Sequence, residues 1–104
     1  LDVNNIYVTC TNTGGDARAY LNAIDASAIG EIHLAGHSMR GEGDDRVLVD
    51  THSTTVCDDV WALYRHALVR VGPVPTLIEW DLDVPEIAVL VAEAARAEAM
   101  RRAA

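Results

Sequence analysis

The stretch EIHLAGH, residues 31–37, decides how the rest of the chain is read. Ile32 and Leu34 share one face of a strand over residues 31–35, and His33 points to the other. A strand buried on both faces is normally a run of Val, Ile and Leu. An imidazole in that position needs a partner, because a buried polar group without one is costly. The same substitution recurs at the ends of the other apolar segments, and that repetition organises the reading.

Working outward, residues 1–3 read as the tail of a strand, as though part of a longer chain. The turn-rich NNIYVTCTNTGGD reads as a loop, with Ile6-Tyr7-Val8 extended. Asp16 caps a helix reaching about Ile24, with Ala17, Leu21 and Ile24 on one face. After strand 31–35, HSMRGEGDD is a polar loop and RVLVD, residues 46–50, is the next strand. Val56, Val60, Leu63, Tyr64, Ala67 and Val71 set a helix over about 58–71, which Gly72-Pro73 ends. PTLIEW, residues 75–80, is a fourth strand. A last helix runs from about Pro85 to Arg102, with Ile87, Leu90, Val91 and Ala94 facing inward. Strands alternating with helices predict an α/β chain with a parallel sheet. The step from 31–35 to 46–50 is the exception, since only a loop joins them.

With 104 residues, half of them hydrophobic, the chain makes one small domain. Its formal net charge is −8, and its eight basic residues are all Arg. An acidic chain without a basic cluster argues against a nucleic-acid or anionic-membrane surface. No apolar run approaches the ~20 residues needed to span a bilayer. Cys10 and Cys57 make no disulfide framework, and a reduced, cytoplasmic setting follows as the expectation. Glycine-rich phosphate loops and nucleophile elbows are absent; Gly14-Gly15 and RGEG are turn signals.

Strand alternation then gathers a site. His33 opposes Ile32 and Leu34; Asp50, and His52 if the strand geometry persists, oppose Val47 and Val49; Glu79 and Asp81 oppose Ile78 and Trp80; Asp2 opposes Leu1 and Val3. Each polar residue comes late in its strand. At the carboxyl ends of a parallel sheet, Asp2, His33, Asp50, His52 and Glu79 can converge, with Asn5 joining from the loop. His37, beyond Gly36, and Asp81 stand behind them or face a substrate. A single buried His is more often a core hydrogen-bonding residue than a ligand, and Asp50 could equally cap a turn. Four strands ending alike favour a metal site. The donors are N and O atoms without a thiolate set, which suits Fe(II), Mn(II) or Zn(II).

Taken together, LDVNNIYV, GEIHLAGH, DTH, VWALYRHAL and GPVPTLIEWD resemble the C-terminal part of the multinuclear non-haem iron-dependent oxidative enzymes. This is the family of the methanobactin-biosynthesis B protein, formerly an uncharacterised protein family. The resemblance implies the C-terminal half, strands five to eight, of a TIM-like (β/α)8 barrel related to xylose isomerase. It implies two or three irons at the strand ends, and dioxygen-dependent rework of residues, often cysteine, in a ribosomally made precursor peptide. It also implies a small partner protein that binds the peptide leader. The metal positions carried over are Asp2, Asn5, His33, Asp50, His52 and Glu79. The family's first-half ligands have no counterpart here, and Trp80 stands where many relatives carry a charge. A barrel takes about 250 residues, so the chain reads as a half barrel whose open edges could self-associate. Two other readings stand beside it: a divalent-metal isomerase or hydrolase of the xylose-isomerase type, and a half-barrel fragment without activity of its own.

Overall fold

Strand β1 (Ile32–Ala35) and strand β4 (Thr76–Glu79) lie side by side and parallel in the computed structural model, which describes residues 1–104. Their register pairs Ile32 with Thr76 and Ala35 with Glu79. On the other side of β1 the chain's first residues run parallel to it. Asp2 bridges His33, the His33 N–H donates to the Leu1 carbonyl, and the Leu1 amine donates to the Glu31 carbonyl. Three parallel extended segments therefore stand in the order 1–2, β1, β4.

The segment expected to be a loop is instead helix α1 (Val3–Thr13). Asp2 leaves the sheet as its N-cap, its carboxylate accepting from the Asn5 N–H at 2.9 Å. Gly14, at φ 74°, ends it in the left-handed conformation and donates its N–H to the Cys10 carbonyl. Asn, Thr and β-branched residues are weak helix formers, which disguised α1. Burial outweighs that weakness: Val3, Ile6 and Cys10 sit at helical spacing in the core. Cys10 is thus a core residue, and both cysteines are free.

Helix α2 (Ala17–Ala23) begins where expected, with the Asp16 carboxylate accepting from the Ala19 N–H at 3.1 Å. Asp16→Ala is expected to cost about 1 kcal/mol, read as a lower urea midpoint with an unchanged slope. An unchanged midpoint would contradict that role.

The predicted third parallel strand is corrected. Val47–Val49 (β3) pairs antiparallel with Ser38–Arg40 (β2), with Ser38 opposite Val49 and Arg40 opposite Val47. These strands form a hairpin off the end of β1, turning through Gly41 and Gly43, both at positive φ. A parallel partner needs a crossover of a dozen or more residues, which the connection from β1 does not supply. The chain therefore carries three parallel strand positions rather than four.

Helix α3 (Asp58–Val71) returns the chain from the hairpin to β4, completing a β–α–β unit. Its Val60, Trp61, Leu63, Tyr64, Ala67 and Leu68 pack with Ile32 and Leu34 from the sheet and with α1 and α2. Helix α4 (Ile87–Ala103) follows β4. Its phase also differs from expectation. Glu93 and Ala97 are its buried residues, while Ile87 and Val91 are exposed. The Glu93 carboxylate accepts from the Val56 N–H at 3.1 Å, and this anchor turns the apolar stripe away from α3. Burial pushes the Glu93 carboxyl up, partly offset by that hydrogen bond and by Arg96. At the far end, Arg101 and Arg102 hold the Glu98 carboxyl down to about 2, through hydrogen bonds to it.

The molecule measures 38 × 36 × 18 Å, the thickness of one helix layer on one sheet layer. The Ile32/Leu34 face is covered by helices. The His33/Leu77/Glu79 face has no layer over it, and Leu77 is exposed. The arrangement is consistent with part of an α/β barrel, helices outside and this face inside. No helix is long and apolar enough to cross a membrane.

Candidate metal centre

The uncovered face carries the polar cluster. His33 projects from the middle of β1 and Glu79 from the end of β4, on the same side of the sheet. His33 Nδ1 lies 2.6 Å from Glu79 Oε1, and its Nε2 lies 2.9 Å from Glu31 Oε1. The other Glu79 oxygen lies 3.4 Å from His52 Nδ1. One carboxylate thus reaches two imidazoles, one oxygen to each.

His52 arrives by a route alternation did not predict. β3 ends at Val49, and His52 sits at φ 53°, in the left-handed region. Such a residue is strained unless its surroundings hold it. Here the His52 N–H donates to the Gly36 carbonyl, and its own carbonyl accepts from the Asp81 and Leu82 N–H groups. The ring is fixed as well: Nδ1 pairs with Asp81 Oδ2 at 2.9 Å, and Nε2 lies 2.9 Å from Asp50 Oδ1. Donor atoms of Asp2, Asp50 and His52 gather within 4.8 Å of one another, as do those of His52, Glu79 and Asp81. His52 belongs to both groups.

Asn5 lies at the exposed rim, its Nδ2 3.3 Å from Asp50 Oδ2. His37 sits behind the cluster, its ring 5.4 Å from that of Tyr7. All six carried-over positions and Asp81 therefore meet on one side of the sheet, and His37 stands one residue further back.

The donor set fits a cation. His52 Nε2 is buried and makes no hydrogen bond, although Asp50 Oδ1 is close. A buried imidazole nitrogen without a hydrogen bond, beside carboxylates, has the chemistry of a cation ligand. Carboxylates and neutral imidazoles suit divalent first-row metals.

The carboxylates also shift the protonation of the histidines. The hydrogen bond with Glu31 raises the His33 pKa above the ordinary histidine value; burial opposes this and Glu79 adds to it. Burial disfavours charge on His52, but Asp81, Asp50 and Glu79 together outweigh it and its pKa is also raised. His37 moves the other way, burial pushing it down against the pull of Asp50.

A raised histidine pKa contributes stability that is complete below the unfolded value, ~6.5, and disappears as pH rises through the folded value. His33 and His52 therefore make the metal-free protein lose stability as pH climbs above about 6.5. His37, shifted the other way, opposes them. Metal binding needs both imidazoles neutral, so metal affinity should rise over the same interval. Thermal melts from pH 6 to 8, with and without Mn(II), should therefore slope in opposite directions. Parallel slopes would contradict the assignment.

The family model described as RiPP precursor modification enzyme MbnB/TglH/ChrH matches residues 1–102. The chain belongs to this family. Among curated relatives, a UPF0276 protein of Chromobacterium violaceum is 59% identical over 100 residues, 96% of this chain and 35% of its own length. UPF0276 proteins of a Caulobacter species and of Acaryochloris marina are 52% and 53% identical, with 36% and 34% of their lengths covered. The chain thus spans about a third of the relatives it matches. No solved structure matches it.

For this RiPP-modification family segment, sequence reading missed three residues of the site. Glu31 shares the His33 face by alternation, and that signal was available. Asn4 is fully buried beside the cluster, which only the unexpected helix α1 makes legible. Gly36 brings two backbones into contact, as described below.

Proposed function

We propose that the chain is part of a multinuclear iron-dependent oxidative enzyme that uses dioxygen to modify residues, cysteine among them, of a ribosomally made precursor peptide. The observation that carries this reading is the gathering of Asp2, Asp50, His52, Glu79 and Asp81, with His33, inside the segment the family model matches. Asp2, Asn5, His33, Asp50, His52 and Glu79 would hold the metal. Iron held there would supply redox chemistry toward dioxygen and an affinity for a soft ligand such as a peptide thiolate.

The chain's own residues orient that centre. Asp81 fixes the His52 ring through Nδ1, leaving Nε2 directed at Asp2 and Asp50. Glu31 does the same for His33, leaving Nδ1 directed at Glu79. The left-handed turn at His52 brings Asp50 and Asp81 to opposite sides of one ring. The open face supplies access for an extended peptide, and a leader-binding partner protein belongs to the same reading.

The test is oxygen uptake by the iron-loaded full chain given a cysteine-containing precursor peptide. Uptake that depends on the peptide, with a mass change at a cysteine, is the expected result. Turnover that persists without oxygen, or with Zn(II) in place of iron, would replace it with Lewis-acid isomerase or hydrolase chemistry.

A further inference from the structure

Asn4 has no accessible surface, yet its side chain touches three groups at once. Its Nδ2 donates to Asp50 Oδ1 at 2.5 Å and to the Gly36 carbonyl at 3.2 Å. Its Oδ1 lies 2.8 Å from His37 Nδ1. A peptide carbonyl can only accept, so the amide nitrogen must be the end facing Gly36. The orientation of the amide is thereby assigned from the network. Oδ1 then faces His37 and can only accept, so Nδ1 of His37 carries the proton. Nε2 of the neutral ring is left with its lone pair and no protein partner.

We propose that Asn4 is a positioning residue of the metal centre: one buried amide fixes the Asp50 carboxylate and holds His37 in its Nδ1–H tautomer. The amide has two N–H donors, and both are used, one on Asp50 and one on Gly36. Gly36 in turn accepts the His52 N–H. Asn4 therefore ties together the two halves of the Asp50–Thr51–His52 turn, which alternation alone could not have aligned. Side chains that hold metal ligands in this way typically change affinity 10- to 100-fold when removed. His37 reaches the cluster only through Asn4. On its other side it lines a cavity of about 340 Å³ with Tyr7, Asn12 and Arg46.

The inference rests on the metal-centre reading for its Asp50 half, while its His37 half is readable without metal. Two variants separate position from packing. Asn4→Asp keeps the shape and the acceptor toward His37 but loses both N–H donors. Asn4→Ala loses everything. In the full chain, Mn(II) affinity is expected to fall at least tenfold in both variants. Imidazole ¹⁵N shifts of His37 in the metal-free protein should report Nδ1–H in the parent and in Asn4→Asp, and a tautomer mixture in Asn4→Ala. Mn(II) affinity within twofold of the parent in a folded Asn4→Asp protein overturns the Asp50 half. An Nε2–H tautomer in the parent overturns the His37 half. A parent that binds no Mn(II), Fe(II) or Zn(II) removes the metal reading and with it the Asp50 half, and the ¹⁵N result still decides His37.

Discussion

His52→Ala is expected to lower metal affinity by more than about 100-fold, beyond the range seen when only a supporting residue is lost. Both groups of candidate donors contain this ring. Its loss leaves Asp2 and Asp50 on one side, and Glu79 and Asp81 on the other, with no imidazole between them. His33 cannot take its place, because it stands on β1 between Glu31 and Glu79. Stability should report the same loss. Metal at about 100 times its dissociation constant stabilises a fold by about 2.7 kcal/mol, and the variant should gain little from added metal. His66→Ala is the control, since His66 pairs with Asn22 away from the cluster, at 2.7 Å. Elemental analysis and metal-dependent melting of the two variants give the answer. Equal metal content in His52→Ala and the parent would remove the centre from this side of the sheet.

Gly36→Ala is expected to destabilise the fold by about 3 kcal/mol, the upper range for forcing atoms into a packed site. A Cβ at this position would run into the Thr54 hydroxyl and the Thr54 carbonyl. The second of these is backbone and cannot swing aside. The need for glycine here is therefore close approach, and positive φ plays no part. The Gly36 backbone also serves the site. The Gly36 carbonyl accepts the His52 N–H at 3.1 Å and the Asn4 amide at 3.2 Å. Pushing Gly36 and Thr54 apart moves the His52 turn with them, so metal affinity should fall together with stability. Urea unfolding in the absence of metal isolates the first effect, and a Mn(II) titration the second. A Gly36→Ala protein with parental midpoint and affinity would show that the two strands of chain can separate freely.

Much of the polar cluster was legible in the sequence because a strand has a period of two. His33 opposite Ile32 and Leu34, and Glu79 opposite Ile78, follow from alternation alone, and in the fold each pair occupies the predicted faces. The Asp16 cap, the α3 spacing and the Gly72-Pro73 stop were also local signals, and the elements they mark formed where expected. Alternation failed at His52 because β3 stops at Val49 and the chain turns through a left-handed residue. No propensity marks a histidine for that conformation; Gly36, Asp81 and Leu82 impose it through hydrogen bonds from elsewhere in the chain. Helix α1 was hidden for a related reason. Its residues are poor helix formers, and its stability comes from Val3, Ile6 and Cys10 packing on β1 and α3.

The sequence by itself determined the α/β class, the family, and which residue types face the uncovered side of the sheet, because periodicity and composition are local properties of the chain. Only the tertiary structure decided that Val47–Val49 turns back into a hairpin, that α4 presents Glu93 rather than Ile87 to the core, and that Asn4 joins Asp50 to His37. Each of these depends on a hydrogen bond or contact between residues distant in sequence, and such partners are chosen by packing of the whole chain.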